Sequence, residues 1–233
     1  MATIANNIAQ VRRRIRDAAQ NCDRSPEDIG LIAVTKTHPA AAVREAFENG
    51  LMHVGENYLQ EALDKQAQLQ DIPLTWHFIG PIQSNKTKAI AEHFDWVHSV
   101  ERLKIAERLS AQRPAHLPPL NICLQVNVSG ESSKSGCSPE ELPALADAVA
   151  ALPNLRLRGL MALPAPTDDI HAQKHAFATV RQWQSELPQA LDTLSMGMSH
   201  DLEAAISEGA TWVRIGTAIF GSRPAPNSSK DSV

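Results

Sequence analysis

Short runs of apolar and β-branched residues recur along the chain, and each is followed by a longer stretch with helical spacing. The runs fall at 31–35, 52–54, 75–79, 96–98, 122–127, 157–161, 194–196 and 212–215. Several are near-continuous rather than alternating, which is the pattern of parallel strands covered on both faces. Between them the helix signals are local and specific. Pro39 can open a helix that runs to Gly50, and Ser138-Pro139-Glu140-Glu141 has the form of a capping box with proline at the first helical position. The segments 101–112 and 170–187 are long enough for three or more turns, and a further helix over 4–21 precedes the first strand.

Strand signals that alternate with helices in this way predict an α/β chain folded as one (β/α)8 TIM barrel over residues 1–222, with an extra N-terminal helix. A doubly wound open sheet is the competing arrangement. It would call for a Gly-x-Gly-x-x-Gly phosphate turn after an early strand, and that turn is absent. Residues 223–233, rich in proline and serine, read as a disordered tail.

Composition narrows the class further. The chain is 43% hydrophobic and 21% charged, with a formal charge of −4. This balance gives no electrostatic reason to expect nucleic acid or an anionic membrane as a partner. No apolar run approaches the ~18 residues of a spanning helix. The basic cluster Arg12-Arg13-Arg14 follows the weakly apolar N-terminal stretch, the reverse of a secretory signal. Cys22, Cys123 and Cys137 are far apart and in no Cys-x-x-Cys pair, as expected of reduced thiols in a soluble cytoplasmic protein.

In a barrel of this kind the chemistry sits at the carboxyl ends of the strands. That rule selects Lys36, Gly55-Glu56-Asn57, His77 with Gly80, Asn127, Met161, the stretch from Ser195 to Ser199, and Arg214 with Gly216 and Thr217. Strand parity puts Ile32, Val34 and Lys36 on one face, so an inward apolar column ends in a lysine. Partial desolvation would favour its neutral amine and make it a nucleophile toward aldehydes; a lysine that snorkels to solvent is the equal alternative. Arg214 lies inside an apolar strand and needs an acceptor, which a structural carboxylate or a cofactor ring nitrogen could supply. Ser195–Ser199, with Ser199 expected to cap a helix beginning at Asp201, and Gly216-Thr217 follow the last two strands. Those loops are the usual phosphate site of barrels.

Long stretches of the chain resemble the pyridoxal phosphate homeostasis proteins, a family that shares the barrel of the alanine racemase N-terminal domain. The resemblance rests on Ala33-Val34-Thr35-Lys36, Gly55 to Glu61, Trp76 to Lys86, Val126-Asn127 with Lys134-Ser135-Gly136, Gly159-Leu160-Met161, Leu194 to Ser199 with Asp201, and Val213 to Gly221. It implies pyridoxal 5′-phosphate as cofactor, held as a Schiff base on Lys36. It also implies Arg214 beside the pyridine nitrogen and Ser199, Gly216 and Thr217 around the phosphate, with Asn57, His77, Ser195 and Met196 lining the pocket. One departure is visible. Family members often carry a tyrosine shortly after the Phe-Gly-x-Arg stretch, whereas here Arg223 is followed by Pro224-Ala225-Pro226.

An arginine partner opposes protonation of the pyridine nitrogen and so weakens the cofactor as an electron sink. Racemisation also needs a second acid/base group on the opposite face of the substrate. The only tyrosine, Tyr58, follows the second strand, and no other candidate is evident. The expectation is therefore a cofactor store in vitamin B6 homeostasis, monomeric, with apo pyridoxal-phosphate enzymes as recipients and no robust catalysis of its own. A weak amino-acid racemase is the alternative, and a barrel using Lys36 directly on a sugar phosphate is a third reading. No metal is expected: His171 and His175 lie four apart on a helix, but no third ligand is near. Lys134 is a possible secondary lysine or part of a plain loop, Cys137 has no neighbour that decisively lowers its pKa, and Trp76, Trp96 and Trp212 read as packing residues.

Overall fold

A computed structural model describes residues 3–131 and 135–221. The expected tail and the Lys134 candidate lie outside them. Helix α1 (Ile4–Gln20) comes first, capped by the Thr3 hydroxyl, which accepts from the Asn6 N–H at 3.2 Å. Its buried residues Ile8, Val11 and Ile15 recur at helical spacing, so the helix presents one apolar stripe, packed against the last two helices of the chain.

Eight parallel strands follow. They are β1 (Gly30–Val34), β2 (His53–Glu56), β3 (Thr75–Phe78), β4 (Trp96–Val100), β5 (Leu120–Val126), β6 (Leu155–Ala162), β7 (Thr193–Ser195) and β8 (Trp212–Ile215). Each pairs with the next in chain order, and β8 pairs with β1, which closes the barrel. Helices α2 (Ala40–Glu48), α3 (Leu59–Gln68), α4 (Thr87–His93), α5 (Leu103–Gln112), α6 (Leu142–Ala150), α7 (Ile170–Glu186) and α8 (Leu202–Ser207) lie between strands, and the short α9 (Thr217–Phe220) follows β8. Among the described residues no helix is long and apolar enough to cross a membrane.

The local signals are met in detail. Ser138 N–H donates to the Glu141 carboxylate at 3.0 Å and Glu141 N–H to the Ser138 hydroxyl at 3.3 Å, a complete capping box just ahead of α6. Pro39 caps α2, and Gly50 beyond its end takes φ +81°, a value that costs glycine little.

Strand period divides the core into two layers. Ala33, Val54, Phe78, Val97, Leu124, Leu160, Leu194 and Val213 belong to the main core that the strands share with the helices. The alternate positions point to the barrel axis. There Trp96, Cys123 and Met161 form a small apolar cluster of their own. They share the interior with polar side chains, since His77, His98, Ser195 and Arg214 are all buried.

Candidate functional site

Of the residues expected to carry chemistry, Lys36, Asn57, Ser195 to Ser199, Arg214, Gly216 and Thr217 lie in or just beyond the adjacent strands β7, β8, β1 and β2, on one half of the barrel, whereas His77 is in β3, Asn127 follows β5 and Met161 is in β6. Lys36 sits in a turn two residues past β1, half-buried. Gly216 ends β8 beside it: a Cβ there would lie 3.3 Å from the Val34 carbonyl oxygen, so the two strand ends run in close contact. On the other side, Gly80 packs so tightly on Asn57 that a Cβ would fall 2.3 Å from the Asn57 carbonyl oxygen. Only glycine permits that approach, and it fixes the turn carrying Asn57. The Asn57 side-chain Oδ1 is buried and lacks a hydrogen-bond partner.

A buried ion cluster grips the Lys36 turn from behind. Lys65, on α3, is 4% exposed and donates to the Thr35 carbonyl at 2.7 Å, to Glu56 Oε1 at 2.6 Å and to Glu61 Oε1 at 2.7 Å. Glu61 in turn accepts from the Thr37 N–H. Both peptide groups flanking Lys36 are thus held, and Thr37 is kept at φ +67°, the left-handed region that a β-branched residue avoids. Burial raises the pKa of Glu56, and outweighs the opposing hydrogen bonds from Lys65 and Thr35. From the far side the His38 ring packs 4.9 Å from that of Phe220, which ties the same turn to α9.

Arg214 lies in β8, 3% exposed. Its Nη1 donates to Ser195 Oγ at 2.8 Å and its Nη2 to the Ala162 carbonyl at 2.9 Å. Neither acceptor is charged, and among the described residues no carboxylate forms an ion pair with this guanidinium. Burial brings its pKa down to about 10 against the pull of Asp201. From Ser195 a chain of imidazoles runs down the barrel axis. His98 Nδ1 lies 2.7 Å from Ser195 Oγ, His98 Nε2 lies 2.9 Å from His77 Nδ1, and His77 Nε2 lies 3.0 Å from His53 Nδ1. Burial lowers the pKa of all three rings, that of His98 to about 3.

Two expected placements change. Ser199 does not cap the helix after β7: Asp201 is the cap residue of α8, and the Asp201 carboxylate accepts from Met198 N–H at 2.6 Å. The Ser199 hydroxyl instead accepts from Ala218 N–H at 3.3 Å, because the loop turns it toward the start of α9. Ser199 therefore stands beside Thr217 and Gly216 rather than over α8. The Met196 side chain packs in the main core shared with the helices, since it alternates with the inward Ser195. His77 and Ser195 are fully buried and engaged within the barrel, beneath the rim that carries Lys36, Asn57, Ser199 and Thr217.

Lys65, His98 and His53 were not singled out from the sequence. For Lys65 a signal existed: Ala62, Lys65 and Leu69 fall at i, i+3 and i+7, all three are buried, and a lysine on an apolar stripe requires a partner. His98 shares β4 parity with Trp96, but a lone histidine in a strand carries no mark of what faces it.

Residues 2–224 match the family described as alanine racemase, N-terminal domain. The chain is 72% identical over 223 residues to the pyridoxal phosphate homeostasis protein of Pseudomonas aeruginosa, covering 96% of this chain and 97% of the relative. It is 54% identical to that of Escherichia coli K12, covering 96% and 98%. Among solved structures, PipY of Synechococcus elongatus with PLP bound superposes with a TM-score of 0.83 at 40% identity, covering 94% of this chain and all 100% of that one. An alanine racemase from Streptomyces lavendulae, at 21% identity and a TM-score of 0.72, shares the fold over 96% of this chain and 58% of its own length.

Proposed function

Because the chain belongs to the alanine racemase N-terminal domain family, we propose that it is a pyridoxal 5′-phosphate homeostasis protein that holds its cofactor as a Schiff base on Lys36. In this reading it acts in the cytoplasm as a monomer, stores the cofactor and releases it to apo enzymes. The homeostasis proteins of P. aeruginosa and E. coli and the PLP-bound PipY structure support the cofactor class. The observation that carries the site assignment is the pairing at the ends of β1 and β8. There a lysine is clamped through both neighbouring peptides, and on the adjacent strand a buried arginine donates to two neutral acceptors.

The residues present suit such a cofactor. Arg214 is a buried cation that pairs with no carboxylate among the described residues, so an electron-rich acceptor such as a ring nitrogen would be favourable there. Asn57 Oδ1, buried and unpartnered, is available to a bound donor. The Ser199 hydroxyl and the backbone around Gly216 and Thr217 supply polar groups for an anion at the loops where barrels hold phosphate. Gly197, at φ +97°, has room for no side chain, since a Cβ would lie 2.6 Å from that of Ala205; this brings the loop in close beneath Ser199. Met196 would contribute by its main chain, and His77 and Ser195 from below.

When bound, pyridoxal phosphate supplies an electrophilic aldehyde carbon and a ring that can accept electrons. Lys36 provides the amine, and the Lys65 cluster fixes the turn that presents it. Arg214, as a hydrogen-bond donor, would favour the unprotonated form of a cofactor ring nitrogen bound there, which would suit retention of the cofactor better than turnover. Tyr58, the only tyrosine, is exposed at the start of α3, and among the described residues no hydrogen bond orients its side chain as a second acid/base.

The test is transfer. Protein loaded with pyridoxal phosphate should restore activity to an apo pyridoxal-phosphate enzyme, while leaving solvent deuterium out of the α-position of free amino acids. Failure of Lys36→Ala to reduce uptake, or deuterium incorporation at enzymatic rates, would overturn the reading in favour of another site or of a racemase.

A further inference from the structure

The chain of side chains from Arg214 to His53 contains one member whose role cannot be reversed. A guanidinium only donates, so Ser195 Oγ accepts from Arg214 Nη1. The Ser195 hydroxyl hydrogen must then go elsewhere, and the only other polar atom within hydrogen-bond distance among the described residues is His98 Nδ1. His98 consequently carries its proton on Nε2 and gives it to His77 Nδ1. By the same step His77 carries its proton on Nε2 and gives it to His53 Nδ1. The opposite direction would aim both Arg214 and His98 at the serine oxygen and leave the serine hydrogen with no acceptor in a buried site, where such a group is costly.

We infer that Arg214 imposes one hydrogen-bond direction on the barrel interior, and that Ser195, His98, His77 and His53 are positioning residues which fix this guanidinium as a donor. Each imidazole is neutral and in its Nε2–H form, and the direction runs without a break from the rim to His53 at the start of β2. Rings packed around the line hold it in place: His77 stacks on Trp96 at 5.6 Å and lies tilted 5.3 Å from Trp212, and His53 meets Trp212 edge-on at 4.6 Å. An arginine anchored in this way keeps its plane and its remaining N–H vectors fixed. The consequence for a cofactor ring rests on the function proposed above; the direction of the chain does not.

Long-range 1H–15N correlation spectra of the full chain, labelled on histidine and free of cofactor, test the direction. His77 and His98, assigned from His77→Asn and His98→Asn spectra, should each show a single Nε2–H tautomer at neutral pH. An Nδ1–H tautomer, an imidazolium or a mixture at either ring would overturn the inference. Ser195→Ala removes the link and should release His98 into both tautomers, while Ser195→Thr should keep the wild-type pattern. A folded Ser195→Ala protein with unchanged tautomers would also overturn it, and should that variant fail to fold, the wild-type spectrum decides alone. With ring-15N pyridoxal phosphate added, wild type and Ser195→Thr should give the same unprotonated ring-nitrogen signal and Ser195→Ala a displaced one. A wild-type chain that takes up no pyridoxal phosphate would count against the proposed function and leave the cofactor-free spectra to judge the chain.

Discussion

Lys65 Nζ lies 2.7 Å from the carbonyl oxygen of Thr35, so a buried ammonium on α3 holds the peptide immediately before Lys36. The same ammonium is shared by Glu56 and Glu61, and Glu61 holds the peptide immediately after Lys36. One cation thus organises both sides of the turn. The cost of keeping Lys65 and Glu56 out of water is offset by direct contacts on each, and what results is a lysine whose backbone is held on both sides.

Removing that cation should be severe. Lys65→Met leaves Glu56, fully buried, without its ammonium, and breaking a buried pair from one side costs about 3–5 kcal/mol. Urea unfolding should show a loss of this size, and Lys65→Met combined with Glu56→Gln should recover part of it. A loss below about 1 kcal/mol would mean that the cluster is solvated and does not hold the turn.

Acid should weaken the fold before most carboxylates titrate. His77 and His98 are kept neutral by burial, with pKa values far under the ordinary 6.5, about 3 for His98. In the unfolded chain both take up protons near pH 6.5, so below that pH the unfolded state binds more protons and stability falls. Each ring contributes ~1.4 kcal/mol per pH unit in this window. The pair should therefore cost roughly 2–3 kcal/mol between pH 6 and pH 5. Glu56, with its pKa raised by burial, acts in the opposite sense but is a single group. Unfolding free energies measured from pH 7 to pH 5 check this; a flat profile would place protons on these rings in the folded state.

Ser199→Ala separates folding from phosphate recognition. Among the described residues the hydroxyl makes one long hydrogen bond, 3.3 Å from Ala218 N–H, so the variant should lose less than about 1 kcal/mol of stability. A hydrogen bond to a charged oxygen is worth more, and affinity for pyridoxal phosphate should fall by roughly tenfold. Affinity for pyridoxal, which lacks the phosphate, should not change. Equal losses for both compounds would move the phosphate away from Ser199.

The barrel was legible because parallel strands buried on both faces leave apolar runs, and because Ser138-Pro139-Glu140-Glu141 and Pro39 mark helix starts by local chemistry. The rim residues were legible from the strand ends together with the family resemblance. What lay beneath them was not. Lys65 reads as one more surface lysine unless the stripe through Ala62 and Leu69 is traced; Glu61, four residues earlier on α3, is a partner that helix spacing offers, whereas the contact with Glu56 on β2 depends on how α3 packs against the strand. His53, His77 and His98 sit on three strands, and their contact depends on interstrand register, which strand periodicity alone does not give. Ser199 was misread for a related reason. A serine shortly before a helix satisfies the local capping pattern, but the loop carries it across to α9.

The account turns on Lys36, and reduction of the loaded protein with borohydride followed by peptide mapping tests it most directly. The expected result is a single pyridoxyl group on the peptide containing Lys36, absent from Lys36→Ala. A pyridoxyl group on another lysine, or an unchanged yield in Lys36→Ala, would contradict the account.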